Sequence, residues 1–203
     1  LGLEGLHPVV FAGYRGGEKL ESSPKNFFFF EPTAPVNTFF TDFSTENPDV
    51  FAGIGFSRRT VAGDLDNEAA HSDHPYPEGV GNLFFLLKTP LVVVEENAVL
   101  SYDDVAIIET GEARSTCGSR SFFDYVVVEG STDGKNWRAL ADCYDASFNE
   151  NWLSIYENEG TPTREDMINQ TLDVSDTFDP GDTILLRFRL FSDPFVAGWG
   201  WAF

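Results

Sequence analysis

Apolar and polar residues alternate over short stretches of this chain. Between Thr183 and Phe191, Ile184, Leu186, Phe188 and Leu190 fall on one face, and Leu185, Arg187, Arg189 and Phe191 on the other. A period of two is that of a strand with one apolar face, and here two arginines share the opposite one. Residues 122–129 repeat the pattern, with Phe123, Tyr125 and Val127 set against Asp124, Val126 and Val128. Asp133-Gly134 then supplies a tight turn between apolar runs, which predicts a hairpin returning through Trp137 to Leu140. Further strands are predicted at Phe39–Ser44, Val50–Phe56, Leu83–Lys88, Leu91–Val94 and Gly198–Phe203. Ala98–Glu109 reads as one long strand, or two joined at a bulge near Asp103-Asp104. No segment keeps a helical period over the length that a stable amphipathic helix needs. Trp152–Tyr156 is at most a short helix or a packed loop. The pattern predicts an all-β fold.

Two regions fit the alternation poorly. Residues 1–37 hold a short strand-like run, His7–Gly13, a turn or linker at Arg15–Glu18, and the apolar patch Phe27–Phe30 before Pro32 and Pro35. They are expected to form an extension or linker, with the sandwich itself over 38–203. Between Arg58 and Gly81 the chain reads as loop.

At 203 residues the chain fits one all-β sandwich of roughly 200–250 residues, and 42% hydrophobic residues are ample for a core. Thirty-three acidic residues against 13 basic ones give a net charge of −20. That field repels phosphate backbones and anionic membranes, which argues against a nucleic-acid binder. The same field attracts divalent cations, although a generally acidic surface needs no dedicated site. No apolar run approaches the roughly 20 residues that span a bilayer, so no transmembrane segment is expected. No signal peptide opens the chain, and its two ends read as those of an excised piece. Cys117 and Cys143 flank the two strands of the Asp133-Gly134 hairpin, which predicts a disulfide; two buried thiols are the alternative.

A search for catalytic motifs finds no Gly-x-Ser-x-Gly elbow, no His-Glu-x-x-His and no phosphate loop. Glu95-Glu96 could serve glycoside hydrolysis, but chance pairs are expected among so many carboxylates. His71-Ser-Asp-His74 could ligate a metal, or could be a packed loop with its imidazoles bonded to backbone. Trp152, Trp199 and Trp201 are the candidates for a sugar-binding platform, against which stands a role in the core. Arg187 and Arg189 could read an anionic glycan, though pairing with acidic neighbours is favoured by the surplus of carboxylates.

An ordered set of landmarks runs through the second half: Asp124-Tyr-Val-Val-Val-Glu-Gly-Ser-Thr-Asp-Gly-Lys-Asn-Trp137, Tyr144-Asp145, Trp152-Leu153-Ser154, Leu185–Asp193 and Gly198-Trp-Gly-Trp-Ala202. With Thr41–Ser44 and His71–Pro77, the set resembles jelly-roll modules of large secreted and cell-surface proteins of Bacteroidota, many exported by the type IX pathway. The resemblance covers roughly residues 40–203. It implies a jelly-roll β-sandwich and an extracellular location, in a non-catalytic unit with a structural or adhesive role. Carbohydrate binding is the alternative, and a polysaccharide-active enzyme a more distant one. The implied partners are other domains of the same polypeptide or surface assembly, and a polysaccharide in the alternative. In that family an acidic residue and an Asn usually follow the Trp-Ala-aromatic strand, so the final strand is expected to be incomplete at Phe203. Modules of this kind often staple strand ends with structural Ca²⁺. Asp42, Asp64, Asp66 and Asp193, each at a strand end or in a turn, are the candidate ligands.

Overall fold

A computed structural model describes residues 4–44, 50–59, 65, 68–79, 81–94 and 97–203. The described residues contain fourteen strands: β1 (Gly5–Val9), β2 (Ala12–Arg15), β3 (Glu18–Glu21), β4 (Lys25–Phe29), β5 (Phe51–Ile54), β6 (Phe56–Arg59), β7 (Ala69–Ser72), β8 (Gly81–Val92), β9 (Val99–Ile107), β10 (Tyr125–Ser131), β11 (Arg138–Ala139), β12 (Ile168–Asp173), β13 (Thr183–Ser192) and β14 (Gly200–Ala202). Ten of them form two five-stranded sheets, sheet A in the order β11-β10-β13-β8-β5 and sheet B in the order β12-β9-β14-β7-β6. Every strand pairing within the two sheets is antiparallel. The fold is the all-β sandwich that the alternation predicts.

The clean face of β13 is the floor of the core. Ile184, Leu186, Phe188 and Leu190 are all buried, whereas their neighbours Leu185, Arg187, Arg189 and Phe191 are half-buried on the outside. From sheet B, Val105, Ala106 and Ile107 close over them with Trp201, Ala202 and Phe203. Phe188 and Phe203 stack at 3.9 Å, and Phe51 stacks on Phe85 at 4.7 Å. Gly55, with φ of +72°, turns β5 directly into β6 and so from one sheet into the other.

Three expectations are corrected. Phe39–Ser44 is not a strand, because its short polar side chains bind backbone locally: Phe43 N–H donates to Thr41 Oγ1 (3.0 Å) and Ser44 N–H to Asp42 Oδ1 (2.9 Å). Phe39 and Phe43 still pack against the core. The stretch from Arg58 to Gly81 is not all loop, since β7 runs through Ala69–Ser72 with all four residues buried. Leu83–Lys88 and Leu91–Val94 are one strand, β8, which passes through Pro90. A register shift opposite β13 accommodates the proline, whose missing N–H costs a ladder bond only where pairing is regular. Trp152–Tyr156 takes the short-helix alternative, within α1 (Glu150–Glu157), which is capped by the Asn149 side chain on the N–H groups of Asn151 and Trp152. Among the described residues no helix is long and apolar enough to cross a membrane.

Residues 5–29 stand apart from both sheets as a two-stranded ribbon, with β1 paired to β4 and β2 to β3. Its root rests on β8, where Phe28 meets Phe84 edge-on at 5.0 Å and Lys88 Nζ lies 3.1 Å from Glu4. Further along, Thr33 N–H bonds Lys88 O and Val36 bridges Leu91.

Cys117 and Cys143 form a disulfide with Cα atoms 5.6 Å apart, closing a separation of 26 residues. Beneath it, Cys143 packs with Phe122, Tyr125 and Val127 in a small cluster of its own. A bridge over this separation stabilises by about 3 kcal/mol on the chain-entropy account. Unfolding by denaturant with and without reductant should show a loss of that size.

Candidate metal centre

The antiparallel pairing of β10 with β13 matches Tyr125 to Phe191, so the residues just outside those strands, Asp124 and Asp193, meet at one end of the sandwich. The Asp193 N–H donates to Asp124 Oδ1 at 2.8 Å. Glu109 comes from sheet B, two residues beyond the end of β9. Tyr76 ties the two sides together: its hydroxyl donates to Asp124 Oδ2 and accepts from the Glu109 N–H at 3.3 Å. Carboxylate oxygens of Glu109, Asp124 and Asp193 all lie within 4.8 Å of one another.

Burial governs the electrostatics here. Asp124 is fully buried, and desolvation lifts its carboxyl to about 6 against the opposing hydrogen bonds from Tyr76 and the Asp193 backbone. Glu109 is pushed up to about 7, first by desolvation and then by the charges of Asp124 and Asp193. Its Oε2 is buried and has no hydrogen-bond partner. An orphaned oxygen beside two more carboxylates suits a hard cation that takes oxygen ligands, which is the chemistry of Ca²⁺. Among the described residues no imidazole or thiolate joins the three carboxylates, so zinc is poorly served.

Of the two predicted ligands among the described residues, Asp193 stands in this cluster. Asp42 is elsewhere, closing its own turn by accepting from the Ser44 N–H and hydroxyl (2.9 and 2.6 Å). Asp64 and Asp66 lie outside the described residues, as do Glu95 and Glu96. Glu109 and Asp124 were missed, although Asp124 left a signal. It shares a strand face with Val126 and Val128, and a carboxylate on an apolar face needs a reason to be there.

The tryptophans take different places. Trp201 and Trp152 are 0% exposed, so neither can offer a ring face to a sugar, and that part of the platform expectation is corrected. Trp152 Nε1 donates to Asp166 O at 2.7 Å, and Trp201 Nε1 to Asp104 Oδ2 at 2.8 Å. Trp199 precedes β14 rather than sharing it, because the strand begins at Gly200 with φ of +135°. It is half-buried and stacks on the His74 ring at 3.7 Å. His74 Nδ1 donates to the Trp199 carbonyl (2.9 Å), whereas His71, in β7, meets the other ring, its Nδ1 2.9 Å from His74 Nε2. Arg187 and Arg189 pair with Glu129, as the carboxylate surplus favours, through Nε contacts of 2.7 and 2.9 Å.

Asp104, in the middle of β9, is a second buried carboxylate. It accepts from Tyr144 (2.5 Å), Trp201 (2.8 Å) and Gln170 (3.1 Å), yet burial still raises it to about 6. The unfolded value is about 3.9, so the folded chain holds the proton more tightly and stability falls as pH rises from about 4 to 6. Asp104→Asn should abolish that share of the pH dependence. Urea unfolding of both proteins at pH 4.5 and 7 checks it: the parent should lose more stability across the interval than the variant.

No family model matches the chain, and no curated protein matches it.

Proposed function

We propose that the chain is a non-catalytic module of a larger secreted or cell-surface protein, with a structural or adhesive role, in which Glu109, Asp124 and Asp193 hold a calcium ion. The observation that carries this reading is the buried, unpartnered Oε2 of Glu109 facing two further carboxylates contributed by other strand ends. An ion there ties the end of β9 in sheet B to β10 and β13 in sheet A and relieves repulsion among three acidic groups. The disulfide is consistent with an oxidising, extracellular setting. The resemblance to jelly-roll modules of type IX-exported proteins of Bacteroidota supports the same placement, with other domains of one polypeptide as partners. Carbohydrate binding has less support, since two of its three candidate rings are inside the core.

Thermal melting in calcium and in excess chelator tests the reading. At one hundred times its Kd, an ion bound only by the native state adds about 2.7 kcal/mol. Asp193→Asn should cut that gain sharply while leaving the chelated protein little changed. Identical melting in calcium and chelator would overturn the structural ion.

A further inference from the structure

The two arginines on the outer face of sheet A are engaged to different degrees. Arg189 commits its whole guanidinium: Nε and Nη2 donate to Glu129, and Nη1 to Asn82 Oδ1 (2.9 Å) and the Tyr125 hydroxyl (3.4 Å). Arg187 gives Glu129 its Nε alone. Its Nη1 and Nη2 meet no acceptor among the described residues, and the side chain is 20% exposed. The guanidinium lies over the half-buried Trp137 ring at 4.0 Å, and the indole N–H of that ring likewise has no acceptor among the described residues. Two stacked groups thus present N–H donors and no acceptor of their own.

They stand in a trough. β13 is the middle strand of sheet A, and its register sets Arg187 between Glu129 of β10 and Leu86 of β8. Over β10 lies the cluster of Phe122 and Cys143 on Tyr125 and Val127; over β8 lies the root of the ribbon, with Phe28 on Phe84 and Glu4 on Lys88. Val127, Glu129, Leu86 and Lys88 are therefore buried, whereas Leu185, Arg187, Arg189 and Phe191 along β13 stay half-buried. Both edges of β13 are taken by its neighbours, so no peptide strand can add to it, and a ligand in the trough is read by side chains. Two guanidiniums against one carboxylate leave a net positive charge here, on a chain whose total is −20. At physiological salt the rest of that charge is screened beyond about 8 Å.

We propose that this trough binds a polysaccharide bearing uronic acids: a carboxylate takes the Nη1–Nη2 fork of Arg187 in two parallel hydrogen bonds, and the sugar ring that carries it lies beside Trp137. The planar fork matches the two oxygens of a carboxylate, and Glu129 holds it in place through Nε. Aromatic carbon at Trp137 and Phe191 covers the apolar faces of the sugar rings. The site uses none of Trp152, Trp199 and Trp201, and none of Glu109, Asp124 and Asp193, so it is independent of the calcium ion.

The probe is trigalacturonate, titrated into the whole chain in excess chelator so that no calcium bridges acid to acid. In nitrogen-edited NMR the indole N–H of Trp137 should shift with added trimer, while those of Trp152 and Trp201, bonded inside the core, hold still. The methyl ester of the trimer keeps every ring but loses the charge, and should bind about tenfold more weakly or worse. Triglutamate, which has the carboxylates but no sugar ring, should do the same. Arg187→Lys keeps a charge and gives up the fork. Glu129 retains Arg189 in that variant, so it should melt close to the parent and bind the trimer about tenfold more weakly. Equal binding of acid and ester, a Trp137 signal that does not move, or unchanged affinity in a folded Arg187→Lys protein overturns the proposal. Triglutamate binding as tightly as the trimer overturns the assignment to a sugar.

Discussion

Trp201→Ala will destabilise the chain by about 3–5 kcal/mol, the range for a large aromatic removed from a core. In a domain of this size that lowers the melting temperature by roughly 6–20 °C. The ring is fully buried between the sheets, 4.9 Å from Phe203 and 5.8 Å from Phe188. Its loss also strips Asp104 of the indole N–H that it accepts at 2.8 Å. Trp201→Phe separates the two effects: it keeps most of the volume and loses the hydrogen bond, for about 1–3 kcal/mol. Trp199→Ala should cost well under half as much as Trp201→Ala, since that ring is half-buried and its chief partner is His74. If both alanine variants melt like the parent, the core role of Trp201 fails and a solvent-facing role returns.

Glu129→Ala is expected to cost a similar 3–5 kcal/mol, because it leaves two arginines without their shared partner on a largely buried face. Glu129 is 7% exposed and takes the Nε of Arg187 together with Nε and Nη2 of Arg189. Arg187 also lies over the Trp137 ring at 4.0 Å, so the group forms a continuous layer on the outside of sheet A. Burial alone would push the Glu129 carboxyl up, but the Arg189 hydrogen bond and both guanidinium charges outweigh it and hold it below its ordinary value. Its contribution is therefore lost as pH falls below about 4, opposite in sign to that of Asp104. Removing the arginines as well, in Glu129→Leu with Arg187→Met and Arg189→Leu, should restore much of the stability, which equilibrium denaturation can measure. A triple variant no better than Glu129→Ala would show that the loss is not one of stranded charge.

β13 carries its period openly, with one face buried and the other half-buried. β10 is buried on both faces, but its run of valines and the Asp133-Gly134 turn after it marked the hairpin with β11. β7 was hidden because both of its faces are buried, so Ala69-Ala70-His71-Ser72 shows no alternation. Phe39–Ser44 misled for the opposite reason: its aromatics suit a strand, but Thr41, Asp42 and Ser44 close turns on their own backbone. The metal candidate was legible in part. Its ligands come from three strand ends far apart in sequence, and only the pairing of Tyr125 with Phe191 brings two of them together. The surplus of carboxylates raised the expectation of a cation site; it could not choose Glu109 and Asp124 from 33 acidic residues.

Strand β14 has a consequence for how the chain reaches its native state. It is the member of sheet B that joins β9 to β7, so before Gly200–Ala202 arrive the sheet exists as two pieces, β12 with β9 and β7 with β6. Each piece presents a raw edge, and raw edges recruit foreign strands. A chain cut short of β14 is therefore expected to aggregate more readily than the whole one. Trp201 and Phe203 arrive with the same strand, so the seam between the halves and the aromatic centre of the core close in a single cooperative event.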